Sequence, residues 1–401
     1  MSETTLPKVR GFRFAGLPCG IKKKAGARDV GLIVADEPCA AAAVLTKNLV
    51  RAAPCEITAE RVKGGKLQAV LVNAGCANAA TGKAGMKAAL EATAAVAKAL
   101  GLDESLVAPS STGVIGVVLP AQKIVGNAEK LAAALSEDAA LDFSDAILTT
   151  DRGRKVSHRT VEAGRRTYTV LGIAKGAGMI HPNMATTLGY VVTDAPVSRG
   201  FLKKALRDAV EVTFNRISVD GDTSTNDTIV AMASGAAGGS TLKGEDKASR
   251  AFGEALRQVL EDLGKMIVSD GEGAEHLVRI EVSGTRKDAE AVQVARTIAT
   301  SPLVKTALHG CDPNWGRILG AAGRAGVDFD PSRAEVRIGD VTVFTKGLPC
   351  MDGPTEAKAN AVMKLPEYRI EVVLGRGKGR GHYFTCDFGH EYVKINADYR
   401  S

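Results

Sequence analysis

AKGAGMIHPNMATTLGYVVTDA, residues Ala174 to Ala195, sets glycines and small residues ahead of two adjacent threonines, then an apolar run that reads as a β-strand. Gly176 and Gly178 permit unusual torsions and close backbone approach, Pro182 fixes one φ angle, and Ala185 leaves its carbonyl open to attack. A threonine hydroxyl is a weak nucleophile until a base stands beside it. One such base is the residue's own α-amino group, freed when the preceding peptide bond is cut. Attack of Thr186 Oγ on the Ala185 carbonyl would turn that peptide into an ester, and hydrolysis would leave Thr186 as a new N-terminus. By itself the segment reads more simply as a glycine loop before a strand with two incidental threonines.

Outward from this junction the pattern alternates. Strand-like GLIVAD, LQAVLVNAG and TYTVLGIAKG precede it, separated by helical stretches at Gly85 to Leu100, stopped by Gly101, and at NAEKLAAALSED, which Asn127 is placed to cap. Beyond it, Ser198 heads a helix through FLKKALRDAVEVTF, and an amphipathic run from Asp246 to Lys265 leads to the strand HLVRIEVSG. A helix from Asp288, a turn or new helical start at Pro302, and the strands AEVRI, VTVF and YRIEVVLG follow. Mixed elements over the whole length predict an α/β fold of layered sheets and helices, with no repeat and no long linker. GRGKGRG, Gly375 to Gly381, reads as a hairpin loop between strands rather than an RGG-type nucleic-acid segment.

The 401 residues are 45% hydrophobic and 24% charged, with a formal charge of +7 spread among acids, so a large core is expected and nucleic-acid or membrane partners are not. No signal-peptide core and no uninterrupted apolar stretch of about 18 residues is visible, which predicts a cytoplasmic protein. Seven cysteines without a CxxC pair suggest buried thiols rather than disulfides or zinc.

KGAGMIHPNMATTLGY resembles the KGAGMI-PNMAT-L signature of the ornithine acetyltransferases, also called glutamate N-acetyltransferases. Further segments resemble that family in the same order: LVNAGCANAATG, PSSTGVIG, TTD at Thr149 to Asp151, SVDGDTSTND, SDGEGA, CDPNWGRILGAAGRAG and the terminal INADYRS. The resemblance implies self-cleavage between Ala185 and Thr186 into an α chain, residues 1–185, and a β chain, residues 186–401. Thr186 would then carry acetyl from N-acetylornithine to glutamate by ping-pong transfer, without metal or organic cofactor. Some members also accept acetyl-CoA, and a heterotetramer of two α and two β chains is the expected assembly. The family's oxyanion donors match Thr112 and Gly113. Its substrate contacts match Thr150, Lys175, Thr186, Glu272, Asn396 and Ser401, so the C-terminal tail should fold back into the site. Lys175 suits a carboxylate or could tune the Thr186 amine; Glu272 suits an ammonium group. Without the resemblance, STGVIG reads as a turn between strands.

The chain departs from the family pattern at His181, where a small apolar residue is expected, at Thr187, where methionine is common, and at Glu275 and His276 in place of Thr-Lys. Rival readings are a cysteine nucleophile at Cys76 or Cys311, the latter near His309, and a hard-cation loop at Asp220 to Asp227. That loop lacks the glycine and distal glutamate of an EF-hand, so a hydrogen-bonded turn is the expectation. A binding protein that uses the basic glycine loop is the third rival.

Overall fold

The computed structural model describes residues 6–181 and 187–397. Ala185, Thr186 and Ser401 lie outside the described residues. The first part of the chain forms β1 (Phe12–Leu17), β2 (Val30–Leu45), α1 (Ala53–Arg61), β3 (Lys66–Cys76), α2 (Gly82–Leu100), β4 (Val107–Val114), α3 (Ala121–Val125), α4 (Ala128–Ala133), α5 (Ala140–Ile147), β5 (Lys155–Ala163) and β6 (Arg166–Lys175). After the junction come β7 (Leu188–Thr193), α6 (Arg199–Val212), β8 (Ile217–Ser218), β9 (Thr228–Ala233), α7 (Lys247–Ser269), β10 (Leu277–Thr285), α8 (Asp288–Ala299), α9 (Pro302–His309) and α10 (Trp315–Gly323). The chain closes with β11 (Glu335–Ile338), β12 (Val341–Thr345), β13 (Leu348–Pro349), α11 (Gly353–Met363), β14 (Glu367–Val373), β15 (Gly379–Cys386) and α12 (His390–Ala397). These elements fall into two compact units, the first holding residues 6–176, 187–215 and 223–264, the second 177–181, 216–222 and 265–397.

The first unit is built on a mixed sheet in the order β4-β3-β2-β9-β7-β6-β5, with β1 also paired to β2. Its central strands are buried on both faces, which is why they read as nearly continuous apolar runs. Successive residues divide between two cores: Ile33, Val70 and Val72 pack with Phe143, Ile147 and Tyr190, while Leu32, Val34 and Leu71 pack with Ala92, Val96 and Leu131. Helices therefore cover both faces. β6 and β7 pair antiparallel from Val170 against Thr193 to Lys175 against Leu188, so the segment carrying Ala185 and Thr186 connects two hydrogen-bonded neighbours. β7 pairs in turn with β9, which pairs with β2.

The helix read at NAEKLAAALSED is shorter than expected, and Asn127 does not cap it. Its Nδ2 instead donates to the Lys123 carbonyl of the preceding turn, at 2.8 Å. After Ala133 the chain is drawn to β1, where Ser136 and Phe14 exchange backbone hydrogen bonds, and this pairing ends the helix.

The second unit has the sheet order β13-β12-β11-β14-β10-β15-β8. Val278, Ile280 and Val282 of β10 pack with Val294 and Ile298 of α8 and Leu308 of α9. The expected hairpin at Gly375 to Gly381 is not one: β14 runs parallel to β10 and β15 antiparallel to it, so the loop crosses the end of the strand between them. Glycine is needed there because a Cβ on Gly377 would stand 2.4 Å from the Thr285 carbonyl oxygen, and one on Gly379 2.6 Å from the Lys287 backbone.

Candidate active site

In the first unit, Thr112 and Gly113 lie at the end of β4, within the strand rather than in a turn. They sit beside Ala74 and Gly75 of β3, where a register shift at Cys76 opens the edge of the ladder. Gly113 has φ +130°, and a Cβ there would stand 2.4 Å from the Gly75 carbonyl carbon. Only glycine fits this close approach. The strand end is held by a buried polar network. Ser111 Oγ donates to Asn73 Oδ1 at 2.6 Å, and Asn226 Nδ2 donates to the carbonyls of Ala77 and Ser111 at 2.6 and 2.9 Å. LVNAGCANAATG, PSSTG and STND, distant in sequence, thus meet around Thr112.

Lys175, the last residue of β6, is 7% exposed. Its ammonium donates to Thr112 Oγ1 at 3.2 Å and to Thr149 Oγ1, and lies 3.6 Å from Asp151 Oδ2. The Asp151 carboxylate is fully buried and accepts from Lys155 Nζ at 2.8 Å, the Gly176 amide at 2.6 Å and the Thr149 amide at 2.9 Å. Burial pushes its carboxyl up, but Lys175, Lys155 and the Thr149 amide outweigh burial and hold it far below the usual carboxylate range. Thr150 is exposed; Thr149 and Asp151 are the members of TTD that meet Lys175. The family resemblance singles out Thr150 of this motif and says nothing of the two side chains that meet Lys175.

In the second unit, Glu272 follows α7 and is 8% exposed. Its amide donates to the Ala177 carbonyl at 2.8 Å, and Asn396 Nδ2 of α12 donates to its Oε2 at 2.8 Å. The C-terminal helix thus reaches Glu272 through Asn396. Asp220 was missed as a binding group for this segment: it accepts from the Ile180 amide at 2.9 Å and from the Tyr392 hydroxyl at 3.1 Å. His181 Nδ1 lies 3.2 Å from Ser218 Oγ, and burial, then the charge of Arg296, push its pKa down. AGMIH, SVDGD, SDGEGA and the C-terminal helix therefore converge.

Burial pushes the Cys76 thiol up, and its Sγ donates to the Val117 carbonyl at 3.2 Å. Cys311 is likewise raised, first by burial; its Sγ donates to the Met363 carbonyl at 3.5 Å and lies 3.8 Å from His276 Nε2, while His309 Nδ1 is engaged by Asp387 at 2.8 Å. CDPNWGRIL is structural: Asn314 caps α10, and Trp315 stacks on Phe344 with ring centroids 5.0 Å apart. Among the described residues no group of His, Cys, Asp or Glu is arranged to hold a metal ion, and no helix is long and apolar enough to cross a membrane.

The ArgJ family profile matches residues 13–401. The arginine biosynthesis bifunctional protein ArgJ of Syntrophotalea carbinolica is 50% identical over 396 residues, covering 98% of this chain and all of that protein. The protein of the same name from Geobacter sulfurreducens is 47% identical, again over 98% of this chain and all of the relative. The crystal structure of the Bacillus halodurans ArgJ protein matches with a TM-score of 0.50 and 44% identity over 52% of this chain and 97% of the solved chain. Matched over nearly its entire length, the chain belongs to the ArgJ family.

Proposed function

We propose that this chain transfers acetyl from N2-acetylornithine to glutamate through an acetyl ester on Thr186, after cutting itself between Ala185 and Thr186. Acetyl transfer in arginine biosynthesis is the activity of its family. One observation carries the residue-level reading: β6, the strand that runs into AKGAGMIHPNMATT, ends on a lysine in hydrogen-bond contact with Thr112 beside Gly113. A hydroxyl and an unhindered amide are suitable donors to a tetrahedral oxyanion.

In the proposed cycle the neutral Thr186 α-amine takes the proton of its own Oγ, and Oγ attacks the acetyl carbonyl. Thr112 Oγ1 and the Gly113 amide stabilise the oxyanion, the C–N bond breaks, and ornithine leaves with the proton. Glutamate then attacks the ester through its neutral amine and regenerates Thr186. Lys175, Thr150, Glu272, Asn396 and Ser401 are the proposed substrate contacts, with Glu272 facing an ammonium. The cycle needs neither metal nor organic cofactor.

The fragments 1–185 and 186–401 are proposed to remain one unit, because cleavage leaves β6 and β7 paired within a shared sheet. Assembly into a heterotetramer and a cytoplasmic location complete the proposal. The relatives' description as bifunctional directs a second assay, release of CoA from acetyl-CoA with glutamate as acceptor.

Intact-mass measurement of the denatured active enzyme tests the reading. Two polypeptides are expected, the second beginning at Thr186 and gaining one acetyl group when N-acetylornithine is supplied without acceptor. A single full-length chain in active enzyme, or acetyl on another residue, would sink it.

A further inference from the structure

The Thr112–Lys175–Asp151 cluster assigns a task to two residues beyond substrate contact. An ammonium has no lone pair, so in any lysine–hydroxyl contact the nitrogen donates and the oxygen accepts. Lys175 therefore occupies a lone pair of Thr112 Oγ1 at 3.2 Å. The hydroxyl's single proton then points away from Lys175, and the cation polarises the O–H bond, strengthening it as a donor. Thr149 completes the arrangement: its oxygen accepts from Lys175, while its hydroxyl lies 3.4 Å and its amide 2.9 Å from Asp151 Oδ2. Lys155 takes the direct bond to Oδ1, so Asp151 holds Lys175 by charge at 3.6 Å and through Thr149.

We propose that Asp151 and Lys175 form a relay behind Thr112: Asp151 anchors the Lys175 cation, Lys175 donates into Thr112 Oγ1, and the Thr112 proton is thereby directed onto the oxyanion. Asp151 is a positioning residue, acting through Lys175 and Thr149. The relay rests on Thr112 being an oxyanion donor. It adds that the donor's strength depends on a buried charge one residue removed.

The surroundings make that dependence steep. Lys22, after β1, and Lys155, on β5, are cations facing the same cluster; Asp29 on the connection after β1 and Asp145 on α5 are carboxylates that act on Lys22. Burial, above all, pushes Lys22 down, and Lys175 adds to that while Asp29 and Asp151 oppose it. With Asp151 neutralised, Lys175 would face Lys22 and Lys155 in a buried setting without the carboxylate charge 3.6 Å from it, and would lose its proton at lower pH than with that charge in place.

The test measures kcat/KM against pH for the cleaved wild-type enzyme, Asp151→Asn, Thr112→Val and the double variant. Asp151→Asn is expected to bring an alkaline limb at least about one pH unit below that of wild type, with a loss of about tenfold or more above it. In the Thr112→Val background the Asp151→Asn effect should shrink below about twofold, because the relay has lost its target. An unshifted limb, or losses that multiply, would overturn the relay. If Asp151→Asn does not yield folded, cleaved protein, Lys155→Gln decides. Removing the competing cation should leave the limb in place or raise it, and a downward shift would overturn the proposal. Acetylation of the 186–401 fragment in wild-type enzyme separates failure of the relay from failure of the underlying reading.

Discussion

The Glu272 carboxylate rests on the bare Cα of Gly178: a Cβ added there would stand 2.7 Å from Oε1 and 2.9 Å from the carboxyl carbon. Gly178 belongs to the KGAGMI signature, and its φ is not in the left-handed region, so its task here is clearance rather than torsion. Gly178→Ala should therefore displace Glu272 from Asn396 while leaving the local backbone conformable. The expected result is a rise of about tenfold or more in KM for N-acetylornithine, with a Tm change of only a few degrees. An unchanged KM would show that Glu272 does not contact substrate, or that its carboxylate tolerates the shift.

Gly113 differs because both torsion and clearance demand glycine. Its φ of +130° and the 2.4 Å approach to Gly75 leave no accommodation by side-chain movement, since the opposing atoms are backbone. Gly113→Ala should cost about 1–3 kcal/mol of stability from the torsion alone. It should also lower kcat by about a hundredfold, because the amide proposed as oxyanion donor moves with the strand end. Chemical denaturation and steady-state kinetics on the same preparation read the two effects. A stability loss with kcat intact would remove Gly113 from the oxyanion site.

What could be read in advance depended on the range of the interaction. Apolar runs such as GLIVAD and LQAVLVNAG announce strands buried on both faces, because alternate side chains serve two cores. Gly101 and Ser198 end and begin helices through contacts within one turn, and both do so here. Asn127 and the Gly375 to Gly381 loop were misread because partners far along the chain decide them: β1 pulls Ser136 out of a helix, and β10 separates β14 from β15. The site follows the same division. The resemblance named Thr112, Lys175, Glu272 and Asn396, yet Asp151 and Asp220 owe their importance to bonds across the fold that no local spacing reveals.

Asn226 ties three of the quoted motifs together from a buried position. Asn226→Ala would leave the Ala77 and Ser111 carbonyls without their donor and the Thr225 hydroxyl without its acceptor. Each buried polar group left without a partner costs about 1–3 kcal/mol, so a Tm drop of several degrees is expected. Because Ser111 precedes Thr112, kcat should fall more than KM changes. Equal stability of variant and wild type by denaturant titration would show that the network is replaced by water.

Asp220 links the Ile180 amide to the Tyr392 hydroxyl, and so the segment before the proposed cleavage site to the helix carrying Asn396. Burial, with repulsion from Asp222, raises its pKa despite the amides of Asp222 and Ile180 and the Tyr392 hydroxyl, which pull it down. The folded state therefore binds this proton more tightly than the unfolded chain. Its contribution to stability is fully present below the unfolded value of about 3.9 and is lost as pH rises through the raised folded value. Asp220→Asn, which cannot ionise, should gain stability relative to wild type as pH is raised from about 4 to 7. Subtracting the two denaturation curves at each pH cancels the other carboxylates. A difference that stays flat, or that favours wild type increasingly with pH, would mean that the hydrogen bonds to the ionised carboxylate outweigh its burial, and that the charge itself holds the segment in place.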